Sequence, residues 1–172
     1  MDTKLQVKLF KKYPKIFRQK DLPMTQTCLC WGCECGDGWY DLIDKLCSML
    51  QWDIDKNRYP QIEATQIKEK YGTLRFYYTH AEETYTLKDI TWFDRFVSWL
   101  NKYVIILPTR KYYDRNWERH KEGMQDGMIS FAEHLSGHIC EDCGTNVDVT
   151  RNDDGWISTL CVKCRKKRNK KS

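Results

Sequence analysis

The sequence predicts an α+β protein, helices packed on a small β-hairpin sheet, followed by a C-terminal zinc ribbon. Three observations carry that expectation. Apolar residues recur at helical spacing in several stretches, one aromatic-rich stretch alternates like a strand, and two Cys-x-x-Cys hooks flank a hairpin pattern near the end. At 172 residues, 41% hydrophobic and 13% aromatic, the chain can bury one full core and carry a small satellite. The predicted divisions are 1–136 for the α+β domain, 137–165 for the ribbon and 166–172 for a basic tail.

Leu5, Leu9, Phe10, Tyr13 and Phe17 lie close to helical spacing, and Pro14 ends that helix near Tyr13. Residues 24–36 read as irregular and hold Cys28, Cys30, Cys33 and Cys35. Asp37 reads as the N-cap of a helix that opens through Gly38 and Trp39 and runs to about Gln51. Its apolar face is Tyr40, Ile43, Leu46, Cys47 and Leu50. A hairpin follows: Ile62 to Lys68, a turn through Tyr71-Gly72, then Leu74 to Thr79 with Leu74, Phe76 and Tyr78 on one face. From 86 to 107, Ile90, Phe93, Val97, Leu100 and Val104 form the clearest helical stripe, stopped by Pro108. Residues 110–119 read as a connection or a helix start. Met124, Met128, Phe131, Ala132 and Leu135 predict a last helix that stops at Ser136-Gly137.

The ribbon is the strongest signal. Cys140-x-x-Cys143 and Cys161-x-x-Cys164 have the spacing of a four-thiolate site, with a tight turn expected in each hook and Gly144 supplying the positive φ. Val147 and Val149 alternate with polar residues, Asp154-Gly155 reads as the turn, and Trp156 to Leu160 as the return strand. Four thiolates leave zinc no open position, so the expected Zn²⁺ is structural. Comparable sites contribute roughly 10–16 kcal/mol to folding. His138, two residues before the first ligand, reads as a surface side chain.

Other constellations are weaker. Cys28, Cys30, Cys33 and Cys35 form a candidate second metal site whose spacing suits one ion poorly, so buried or free thiols are the simpler reading. Gly36-Asp37-Gly38-Trp39 could hold an anion on its amides, with Asp37 competing for them as a cap. Asp37, Asp41 and Asp44 share a helix face and could bind Mg²⁺ as nucleases do, though a solvated face explains them equally. Lys68, Lys70 and Arg75 beside Tyr71, Phe76 and Tyr77 suit a single nucleic-acid strand, and equally a hairpin with one face on the core. No phosphate loop, nucleophile elbow, dinucleotide fingerprint or His-Glu-x-x-His helix occurs.

The net charge is +5, and Arg165, Lys166, Lys167, Arg168, Lys170 and Lys171 supply six positive charges, so the remainder stands at −1. A second basic cluster, Lys4 to Lys20, lies at the start. Such ends are solubilising, or make salt-dependent contact with nucleic acid. The first twenty residues lack an apolar leader, and Val104-Ile105-Ile106-Leu107 is too short to span a bilayer. A soluble, cytoplasmic protein is expected, with nine cysteines pointing to metal rather than disulfides.

Four blocks in order carry a resemblance: Tyr13-Pro14-Lys15; Cys35-Gly36-Asp37-Gly38-Trp39; Lys68 to Tyr77; and Cys140-Glu-Asp-Cys143-Gly144 with Gly155-Trp156 and Thr159-Leu160-Cys161. The chain resembles an uncharacterised family of small zinc-ribbon proteins encoded by bacteriophages and prophages. The resemblance implies a phage origin and one shared architecture, and it transfers no activity. Cys28, Cys30 and Cys33 stand outside its pattern.

The expectation is a non-enzymatic protein that engages a host macromolecule, protein or nucleic acid, in the host cytoplasm. A second reading is an anti-defence protein that inhibits a defence protein or sequesters a nucleotide immune signal. Trp39, Tyr71, Arg75 and Tyr77 would then stack a base and clamp phosphate. A third is a metal-dependent nuclease using Asp37, Asp41 and Asp44.

Overall fold

A computed structural model of the chain describes residues 1–81, 110–153 and 155–170. The helix expected over 86–107 lies outside them. Helix α1 spans Thr3–Lys12, where Asp2 caps it by accepting from the Lys4 N–H at 2.8 Å. The chain leaves it at Tyr13, as the following proline requires. Helix α2 spans Tyr40–Asp55, α3 Arg110–Ser136 and α4 Val162–Asn169. A three-stranded sheet is ordered β1 (Cys33–Glu34), β2 (Ile62–Lys70), β3 (Thr73–His80), with β1 parallel and β3 antiparallel to β2. The segment 24–36, expected to be irregular, thus contributes a short strand.

The β2–β3 hairpin closes through Tyr71 and Gly72, whose φ of 53° and 71° are those of a two-residue turn that follows the strand twist. A bulge between Ala64 and Gln66 resets the register. Beyond it Ile67, Leu74 and Phe76 face inward, while Gln66, Lys68, Arg75 and Tyr77 share the other face. Leu9, Phe17, Trp39, Ile43, Leu50, Ile129 and Ala132 complete one core between the helices and the sheet's inner face. The apolar face expected for α2 is the buried one: Ile43, Leu46, Cys47 and Leu50 lie inside and Tyr40 packs against them.

Two further expectations fail in this domain. Asp37 does not cap α2. It lies in a 3₁₀ turn, Asp37–Trp39, and its carboxylate accepts the Asp2 N–H at 2.6 Å. The face of α3 is rotated from the one expected, because Met124 and Phe131 are exposed and Gln125, Ile129, Ala132 and Ser136 are buried. That rotation serves the sheet edge. Ser136 Oγ accepts the Leu74 N–H and Glu133 Oε1 accepts the Phe76 N–H, both at 2.8 Å, so α3 satisfies the outer amides of β3. Polar residues therefore occupy positions a hydrophobic pattern assigns to solvent.

Strands β4 (Val149–Arg151) and β5 (Thr159–Cys161) form a second, antiparallel hairpin. The return strand begins at Thr159 rather than Trp156, which is exposed. Asn152 organises the connection, its Oδ1 accepting from Ser158 N at 2.6 Å and its Nδ2 donating to Trp156 O at 3.0 Å. Gly155 has the positive φ of a turn residue. No helix among the described residues is long and apolar enough to cross a membrane.

Candidate metal centre

The two cysteine hooks are built differently. In the first, Gly144 N–H closes on Cys140 O at 2.9 Å and Cys140 N–H on Thr145 O at 2.8 Å, with Gly144 at φ +77°. The second was expected to be a tight turn as well, but it is a helix start. Cys161 ends β5 and caps α4, and the Cys164 N–H points at its sulfur at 3.5 Å. Together the hooks bring the sulfurs of Cys140, Cys143, Cys161 and Cys164 within 4.8 Å of one another. Cys140 and Cys161 are buried, Cys164 is half-buried and Cys143 is exposed. Four sulfurs converging on one point could hold a metal ion.

Protonation distinguishes the two sulfurs of the second hook. The Cys164 N–H, together with neighbouring thiol donors, lowers the Cys161 thiol to about 7. Burial and the same neighbours push Cys164 well up.

The hairpin docks on the α+β domain by close backbone contact. Gly38 N–H donates to Glu141 O at 2.9 Å, Trp39 Nε1 donates to Ile139 O at 3.1 Å, and Thr159 Oγ1 donates to Gly72 O at 2.6 Å. A Cβ on Gly36 would stand 1.9 Å from Glu141 O, and one on Gly38 2.1 Å from Cys140 O. The first hook therefore rests on Gly36 and Gly38. The expected boundary at 136/137 separates parts that share backbone hydrogen bonds. Its signal was visible as two glycines one residue apart before a tryptophan, but read as an anion site or a cap.

The remaining expected site residues fall elsewhere. Cys28 is exposed, and Cys30 donates to Thr27 O at 3.3 Å. Cys33 and Cys35, two apart in extended chain, both point inward, where burial pushes their thiols up to about 12. No second group of three metal donors converges among the described residues. Trp39 is fully buried and so does not join Tyr71, Arg75 and Tyr77 in a pocket; Arg75 and Tyr77 share one face of β3, while Tyr71 lies in the turn at the other end of the hairpin. Asp44 accepts from Lys12 at 2.8 Å and from the Tyr13 hydroxyl at 2.9 Å, and Asp37 from Asp2, so the acidic row braces α1 and does not gather as a metal site. The boundary expected at 166 falls inside α4, where Arg165 donates to Thr150 O at 2.6 Å and Arg168 Nε to Asp142 at 3.0 Å. His138 is exposed, its ring stacked edge-on with His134.

The chain matches no family model, no curated protein and no solved structure. Its function must be argued from these residues.

Proposed function

We propose that the C-terminal hairpin is a structural zinc ribbon and that the protein is a phage-encoded, non-enzymatic zinc protein that engages a macromolecule of the host. The observation that carries this is the all-thiol composition of the one donor set that converges among the described residues. Zinc held by four thiolates at about 2.3 Å spans a tetrahedron of edge about 3.8 Å. Cys143 Sγ and Cys161 Sγ stand 3.8 Å apart, which also excludes a disulfide between them. All four positions are protein ligands, so the ion would shape the hairpin and activate nothing. Shape is the use the surroundings support, since the hook abuts Gly36 and Gly38 and holding it rigid joins both parts into one surface. The phage attribution follows from the resemblance of the four sequence blocks.

Elemental analysis of purified protein tests the metal: one zinc per chain is expected, and about none for Cys140→Ser. Cross-linked capture from host cells tests the engagement. A defined partner that is captured by the zinc-loaded chain and lost with Cys140→Ser supports the reading; metal-free native protein overturns it.

A further inference from the structure

The face of the β2–β3 hairpin turned away from the core carries an ordered row of cations and rings. Past the bulge, Gln66, Lys68 and Lys70 stand opposite Tyr77, Arg75 and Thr73. Lys68 Nζ lies 5.3 Å from the Tyr77 ring centroid, and Lys70 Nζ 5.5 Å from that of Tyr71. Tyr71 is 60% exposed and Tyr77 41%, so both rings are open to solvent. Two acids approach this face, Glu34, which accepts from Gln66 at 3.3 Å, and Glu133, 3.6 Å from Arg75 at the α3 edge; Glu69 stands on the opposite face with Leu74 and accepts the Gly72 N–H at the turn. The balance across the row remains positive. At the Tyr77 end the face opens into a depression of about 370 Å³ lined by Met24, Thr25, Gln26, Cys28, Gln66 and Tyr77. The depression is shallow and open to solvent, and its lining sets the Tyr77 ring beside amide and hydroxyl groups.

We propose that this face is a platform for single-stranded nucleic acid. A base stacks on Tyr77 and enters the depression, where the Gln26 and Gln66 amides meet its edge. A second base stacks on Tyr71, and Lys68, Lys70 and Arg75 contact the phosphates between. Charge decides the occupant. A row that alternates cations with open rings complements a polyanion bearing a flat apolar group at each repeat. Duplex DNA hides those flat groups and offers the rings nothing. The inference deepens the proposed engagement of a host macromolecule and rests on it.

The test is fluorescence anisotropy of the full zinc-loaded chain with labelled fifteen-nucleotide oligo-dT and oligo-U. Three phosphate contacts to a single strand predict a log–log salt slope of about −2, or roughly a 16-fold loss of affinity between 50 and 200 mM salt. Lys68→Ala should flatten that slope by about 0.7. Tyr77→Ala should weaken binding about 5- to 150-fold at constant salt, with Tyr77→Phe restoring it. Unchanged circular dichroism and one zinc per chain show that each variant is folded. No binding at 50 mM salt overturns the proposal, as does binding indifferent to Tyr77→Ala and Lys68→Ala but lost with Lys166→Ala/Lys167→Ala. Tighter binding of a duplex of equal length overturns it too. If zinc is present and a host protein is captured while both oligonucleotides fail, the platform falls and the broader reading stands. If zinc is absent, the broader reading falls first.

Discussion

Substituting Gly36 isolates the docking of the cysteine hook. Gly36 has φ −69° and ψ 159°, ordinary extended backbone open to any residue, so Gly36→Ala introduces no dihedral strain. Through the unfolded chain alone it would stabilise by about 0.4–1 kcal/mol. Against that, the new Cβ would stand 1.9 Å from Glu141 O and 2.7 Å from Glu141 C. Both are backbone atoms, so no side chain can swing aside, and Glu141 must retreat by about 1.5 Å before normal contact is restored. The same carbonyl accepts the Gly38 N–H at 2.9 Å, and moving it strands that donor at about 1–3 kcal/mol. Overpacking adds about 1–3 kcal/mol, so a net loss of about 1–6 kcal/mol is expected. Urea unfolding of the zinc-loaded protein, followed by far-ultraviolet circular dichroism, measures it as a lower midpoint at constant slope. Gly123→Ala is the internal control: nothing lies within 4 Å of its Cβ, and in helix α3 alanine should stabilise by about 1 kcal/mol. A Gly36→Ala protein as stable as its parent, with zinc retained, would refute the close-packed docking.

Further expectations concern the metal, the sheet edge and pH. Chelation at neutral pH should strip amide protection from 140–164 first while leaving α2 and β2 protected, read by hydrogen exchange; uniform loss would argue against a locally metal-held hairpin. Because the ion needs thiolates, zinc affinity should fall as pH drops, about tenfold per unit for each sulfur that regains a proton when the ion leaves. A chromophoric chelator competition follows this directly, and a flat profile from pH 7 to 5 would contradict it. Ser136→Ala leaves the buried Leu74 N–H without its acceptor and should cost about 1–3 kcal/mol, measurable by denaturant midpoint. Cys33 and Cys35, held near 12 in the fold against about 9 when unfolded, keep their protons longer than the unfolded chain does. Their contribution is complete below pH 9 and declines above it, by about 1.4 kcal/mol per unit per thiol up to pH 12. Thermal melts across that window should drop steeply, less so for Cys33→Ala.

Local rules carried much of the chain. A proline after α1, two strands of alternating apolar residues around Tyr71-Gly72, and the α2 stripe of Ile43, Leu46, Cys47 and Leu50 are each decided within a few residues, where period and turn chemistry act. The four clustered cysteines were legible for the same reason, since hook spacing is set by how far one turn reaches. What only the folded chain decided involves partners distant in sequence. Asp37 had a local role as a cap, and a backbone amide 35 residues away claimed its carboxylate instead. Gly36 and Gly38 looked like an anion cradle until a strand of backbone more than a hundred residues later came to lie on them. The buried face of α3 is partly polar because it ends a sheet edge, and hydrophobic periodicity cannot register a hydrogen bond to another element. Trp39 was assigned to a pocket for its chemistry, whereas its indole N–H is consumed by Ile139 O, deep beneath the hook it supports. Composition and spacing therefore specified the pieces and the metal donors, and long-range hydrogen bonds and steric fit determined which of those pieces touch.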